Sequence, residues 1–197
     1  MTTTATSPAT PSTTPGAVGP DGEVVVAFAP TRSRLRGAAI ARIAFGVVWA
    51  IDATFKFLPG FVHGQTLHDE LGKGSEVSTP VIHQWIEMWN TIALSHPQTF
   101  AVGTGIVETA IALGLIFGAF SNLVFLGSAV FSFGIWSAAE GFHLPWSKPG
   151  MTDLGPSVGY IFASLALFFA CAAATWSLDK VIRPRLGRFA GLASRTA

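Results

Sequence analysis

Four runs of nearly unbroken apolar residues punctuate the chain, at about residues 37–58, 99–119, 121–139 and 156–176. Each approaches the ~20 residues that a helix needs to cross a hydrocarbon core about 30 Å thick. The first run stops at Pro59-Gly60, and Pro156 suits the first turn of the fourth, where a missing N–H costs nothing. The second and third are separated only by Gly118-Ala119-Phe120-Ser121-Asn122, a spacing that predicts an antiparallel helical hairpin. The pattern therefore predicts an all-α polytopic membrane protein, with four transmembrane helices in an antiparallel bundle.

The polar stretches between and around these runs divide the chain. Residues 1–36 are rich in Thr, Ser, Pro, Ala and Gly at their start and read as a disordered tail. They lack the basic and then apolar order of a cleaved signal peptide, so the first helix reads as an uncleaved signal-anchor. Residues 37–178 form the four-helix membrane domain, and residues 179–197 form a basic tail. The connection over residues 59–98 is too long for an idle turn. Within its 80–94 part, Val81, Trp85, Met88 and Ile92 recur at helical spacing. This is an outer amphipathic helix, either lying at headgroup depth with Trp85 and Trp89 or packed as a cap over the bundle mouth.

Composition and charge agree with this class. Half of the 197 residues are hydrophobic and only 12% are charged, with mean hydropathy +0.50, against about 25% charged in soluble domains. A formal net charge of +1 argues against a nucleic-acid partner. The lone Cys171 excludes an internal disulfide and a CxxC motif, and its apolar surroundings read as core. Arg32, Arg34, Arg36 and Arg42 flank the start of the first helix; Lys180, Arg183, Arg185, Arg188 and Arg195 follow the fourth. The two longer connections hold only Lys73 and Lys148. The expectation is a multi-pass protein of the cell membrane with both termini cytoplasmic, its basic run meeting lipid headgroups.

Charges inside the apolar runs mark the candidate chemistry. Asp52, Lys56 and Glu108 each cost about 2.5–3.5 kcal/mol to place in hydrocarbon on insertion scales, so they pair or line a cavity. Asp52 and Lys56 are four apart, on one helix face. Counted from the outer ends at 1.5 Å per residue, Asp52 lies roughly 12 Å deep and Glu108 roughly 14 Å. One cluster is expected, with Lys56 bridging the two acids. It serves either proton exchange with a quinone or another small ligand, or helix register alone.

Above it, Glu140, His143, Trp146 and Asp153 are candidates for a substrate mouth. Asp153 is also placed to cap the fourth helix. All five histidines, His63, His68, His83, His96 and His143, fall on the outer side. His63 and His68 are candidate metal ligands beside Asp69 and Glu70, although their spacing matches no closed site, and the favoured reading is that polar residues simply gather in the only long loops.

Several short motifs carry a resemblance. Arg42-x-x-x-Gly46 and Phe55-Lys56-Phe57 lie in the first helix; Glu108 is followed by Gly114 and Gly118 in the second. Trp136, Glu140-Gly141, Thr152-Asp153-Leu154-Gly155 and Tyr160 follow. Over about residues 36–178 the chain resembles the DoxX/DoxD-like family of small four-helix membrane proteins. It departs at Phe120-Ser121-Asn122, where a basic residue is common in that family. The resemblance implies membrane redox chemistry of the thiosulfate:quinone oxidoreductase type, or a subunit role in a membrane redox complex. The chain has no haem, flavin or iron–sulfur motif, so the resemblance implies that a quinone cofactor or a partner subunit supplies the redox centre. Lipid and partner membrane subunits, or further copies of the chain, are the implied partners. Within that resemblance Lys56 and Glu108 are the site residues, and Asp52 is added by its position.

Overall fold

The computed structural model describes residues 17–18, 24–25, 30–63, 65–75, 77, 79–144 and 153–196. It divides into two units, Met1–Thr31 and Arg32–Ala197. In the first, Ala17–Val18 pairs antiparallel with Val24–Val25; the remainder of the expected tail up to residue 29 lies outside the described residues. The second unit is helical, with α1 (Arg32–Lys56), α2 (Pro59–Val62), α3 (Gln65–Ser75), α4 (Pro80–Ser95), α5 (Pro97–Phe117), α6 (Ser121–Ala138), α7 (Pro156–Phe169) and α8 (Asp179–Ile182). Short 3-10 turns occupy Gly141–His143, Arg183–Arg185 and Gly187–Leu192. Proline opens α2, α4, α5 and α7, where its fixed φ favours the first turn and no intrahelical N–H is lost.

Helices α1, α5 and α6 are long and apolar enough to cross a membrane. Their outward faces carry exposed Ile40, Ile51, Ile106, Leu113, Val130 and Phe133, a surface compatible with lipid. The fourth apolar run does not form a fourth helix of that length. α7 ends after 14 residues, a rise of about 21 Å against a core of about 30 Å. Cys171 then turns into the left-handed region at φ 50°. The following Ala172, Ala173 and Ala174 are buried as non-helical chain. Alanine is the best helix former, so local propensity favours continuation here. Packing overrides it, because only side chains this small admit a non-helical backbone beside Trp49, Leu115 and Phe125. Cys171 itself is exposed, not core.

The bundle is built from two tightly packed pairs, α1 with α5 and α6 with α7. At Gly46 a Cβ would stand 2.9 Å from the Ile116 backbone nitrogen, so the α1–α5 approach requires glycine. Buried Ser128 and Ser164 join α6 to α7 through a 2.7 Å hydroxyl contact. Between the pairs, Trp49 and Phe45 of α1 pack on Tyr160 of α7 at ring separations of 5.2 and 5.4 Å. A second core of Phe61, Leu67, Leu71, Ala93 and Ala101 joins α2, α3 and α4 to the start of α5.

Helix α4 forms as the spacing predicts. Ile86, Asn90 and Ala93 are buried, while Val81, Trp85, Met88 and Ile92 all face outward. The apolar stripe read from the sequence is thus the exposed side, and the packing is made by the opposite face.

At the far end of the bundle the α5–α6 turn is closed by distant chain. Gly118 takes φ 64°. Leu178 N–H donates to Phe117 O and Asp179 N–H to Gly118 O, both at 3.0 Å. Ser177 Oγ donates to Gly118 O at 2.6 Å, and Arg42 Nη2 donates to Trp176 O at 2.7 Å. Buried Asp179 accepts the N–H of Ser121, the first residue of α6, at 3.0 Å and that of Ser194 at 2.8 Å, capping the helix from outside its own sequence. Gly118→Ala would put a methyl group onto Arg42 Nη1, and 2.7 Å from Ser177 Oγ, at a backbone angle unsuited to alanine. It is expected to destabilise the protein by about 1–3 kcal/mol, read as a lowered Tm in detergent; an unchanged Tm would refute this account of the turn.

Candidate functional site

The three charges in the apolar runs converge on α1, α5 and α7, but as two pairs. Lys56 Nζ lies 3.8 Å from Glu108 Oε1 and 4.7 Å from the Phe61 ring centre. Asp52 Oδ2 instead accepts the Tyr160 hydroxyl of α7 at 2.6 Å. The expected bridge from Lys56 to both acids is not formed. An i,i+4 pair on a helix surface contributes only about 0.2–0.5 kcal/mol. A carboxylate buried like Glu108, at 2% exposure, costs several kcal/mol without a counter-charge, so Lys56 turns toward α5.

Chemically the arrangement is asymmetric. Glu108 Oε2 is buried and has no hydrogen-bond partner among the described residues. Lys56 is the partly open side of the pair, at 23% exposure. Exposed Phe55, Phe57 and Leu58 flank it. The cluster thus offers a carboxyl oxygen able to take or give a proton, an ammonium able to hold an anionic oxygen, and a phenol–carboxylate pair that fixes the neighbouring face.

The mouth candidates gather near the end of α6. Ser157 Oγ donates to Glu140 Oε1 at 2.6 Å. Burial pushes the Glu140 carboxyl above the usual carboxylate range, against the lowering effect of that hydroxyl. His143 Nδ1 lies 2.9 Å from Asp153 Oδ1. Asp153 does not cap α7: Gly155 occupies the cap position, and no side chain bonds there. The Asp153 carboxylate accepts the Gly155 N–H at 2.9 Å within its own turn. That bond, with His143, holds its pKa below the usual range. The cause is local: an Asx turn closes two residues on before the helix has begun. Trp146 lies outside the described residues.

His63 and His68 line one cavity of about 400 Å³ with Gln65, Leu94 and Pro97. No group of three His, Cys, Asp or Glu side chains suited to a metal occurs among the described residues. His83 is exposed on α4, and His96 is exposed at the α4–α5 junction.

Four residues of these networks were not among the site candidates read from the sequence. Tyr160 is the chain's only tyrosine, and a phenol within an apolar helix needs an acceptor; that was the available signal for its pairing with Asp52. Ser157 gave no signal beyond lying in the first turn of α7. Arg42, read from the sequence as a flanking charge, and Asp179, which the sequence did not single out, are both fully buried. Comparison with family models, with curated proteins and with solved structures gives no match to this chain.

Tyr160→Phe leaves the Asp52 carboxylate without its donor and is expected to cost about 1–3 kcal/mol. Asp52→Asn keeps an acceptor for the phenol and should cost less; unfolding titrations in detergent compare the two, and equal costs would contradict the pairing. For Glu140 the folded-state pKa is raised, so its contribution is most favourable below the ordinary carboxylate range. That contribution is lost as pH rises through the raised value. The stability of Glu140→Gln should therefore depend less on pH than the wild type between about pH 4 and 8, and parallel Tm curves would rule this out.

Proposed function

We propose that this chain is a membrane redox protein linked to the quinone pool, an oxidoreductase of the thiosulfate:quinone type or a subunit of one, akin to the DoxX/DoxD-like proteins its motifs resemble. The observation that carries the reading is Glu108: a buried carboxylate on α5 with one oxygen unpartnered among the described residues, beside a partly open lysine. Reduction of a quinone consumes two electrons and two protons, and joining two thiosulfates through a new S–S bond releases two electrons. A bound quinone supplies the electron acceptor. With a quinone bound, Glu108, once protonated from water, would give one proton to an oxygen placed at Oε2 and water would supply the second; Lys56 would hold the negative charge that develops there, and Asp52 with Tyr160 would keep the α1 face in position. Phe55 and Phe57 offer apolar contact to a ring or tail.

A cell-membrane protein with four passes and both termini cytoplasmic belongs to the same reading. Ser157 at the start of α7 meets Glu140 at one end of α6. Residues 177–179 meet Gly118 and Ser121 at the other. The short α7 and the buried chain after it thus run the length of α6, and the basic residues gather at the termini.

One observation favours a second reading, a non-catalytic assembly subunit of a larger membrane redox complex. The pairs Asp52–Tyr160 and Lys56–Glu108 tie α1 to α7 and α1 to α5, as a purely structural lock would. Partner subunits or further copies would then cover the exposed apolar faces.

Glu108→Gln is expected to lower thiosulfate-dependent quinone reduction by the purified protein by a factor of roughly 10², with bound quinone weakened. Wild-type turnover and quinone content in this variant would remove the catalytic claim. Inactivity of the isolated wild type, with stable co-purification of redox subunits, would select the second reading.

A further inference from the structure

Beyond the redox reading, the folded C-terminal segment holds a site of its own. A cavity of about 540 Å³ is bounded by Asp179, Lys180, Arg183 and Arg195, with Gly187 and Ala190 from the last 3-10 turn. Three cations there face one carboxylate. That carboxylate is already committed: Asp179 Oδ2 accepts the Ser121 and Ser194 N–H groups, and its charge acts on Arg42. The cavity is therefore left with an excess of positive charge.

Two further atoms narrow the ligand. Arg183 Nε is a buried donor, and Asp179 Oδ1 a buried acceptor, each without a hydrogen-bond partner among the described residues. Asp179 itself is fully buried. An anionic group beside a hydroxyl satisfies both: its oxygens meet the guanidinium and ammonium groups, and its hydroxyl donates to the carboxylate. The surrounding chain suits the depth at which such groups occur. Trp176, Leu178, Val181 and Phe189 are all exposed, so apolar side chains and cations alternate along one short segment, as at a headgroup layer.

We propose that this cavity binds a phosphate ester bearing a hydroxyl, the chemistry shared by the glycerol headgroup of an anionic phospholipid and by a soluble phosphate. The test uses the full chain in micelles containing equal phosphatidylglycerol and phosphatidylcholine, with retained lipid counted by native mass spectrometry. The wild type should retain one phosphatidylglycerol over phosphatidylcholine by a factor on the order of ten. Lys180→Gln with Arg195→Gln, both at exposed positions, should bring that ratio near one. Arg185→Gln with Arg188→Gln removes the same charge outside the cavity and should leave the ratio unchanged. A second arm adds inorganic phosphate to protein in phosphatidylcholine alone. A Tm increase in the wild type, absent in the Lys180/Arg195 pair, identifies a soluble phosphate as the source. Neither lipid preference nor phosphate stabilisation, or equal loss in the two double variants, would overturn the proposal.

Discussion

The architecture depends on a fully buried arginine. Arg42 sits on the first helix, where a guanidinium in apolar surroundings is costly unless its donors and charge are met. Nη2 and the charge are met from the other end of the sequence, by the Trp176 carbonyl and the nearby charge of Asp179, while Nε and Nη1 have no partner among the described residues. Asp179 in turn caps α6 through Ser121. One polar knot therefore joins the first helix, the α5–α6 turn and the C-terminal segment. It explains why the chain after α7 can leave helical form. Its freed backbone groups are paired with Arg42, Phe117 and Gly118, which is the condition for non-helical chain within an apolar bundle.

The two ends of the bundle consequently differ in kind. At the Gly118 end the buried charges are knotted together by backbone and side-chain bonds and serve the fold. Toward the opposite end they form separate pairs, Asp52 with Tyr160 and Lys56 with Glu108, and Glu108 and Glu140 each retain an oxygen with no partner among the described residues. Spare hydrogen-bonding capacity at buried charged groups is expensive, and it occurs at both ends: on Glu108 and Glu140 here, and on Arg42, Asp179 and Arg183 at the other. What separates the two ends is connectivity: one knot through backbone groups at the Gly118 end, and discrete side-chain pairs at the other.

How far the sequence reaches can be judged from particular residues. Helices α5 and α6 and their short turn were legible almost to the residue, because apolar runs of that length have few other solutions. Asp52, Lys56 and Glu108 were legible as one neighbourhood from depth counting, but their pairing was not. Choosing between two acids for Lys56 depends on burial at α5 and on the phenol of α7, neither of which is local. The α4 stripe was visible as a pattern, while the side it would face was undetermined, since a period of 3.6 fixes which residues align and not what they meet.

By itself, the sequence determined the membrane-spanning lengths of α1, α5 and α6, the amphipathic α4 and the proline that opens α7, since hydrophobic run length and proline stereochemistry act locally. Only the tertiary structure decided that the fourth run breaks at Cys171, that Asp179 caps a helix far away in sequence, and that Asp52 belongs to Tyr160. Ala172, Ala173 and Ala174 carry strong helix propensity, yet their small size lets the core take them as non-helical chain, and a packing gain distributed over several helices outweighs a few tenths of a kcal/mol per residue.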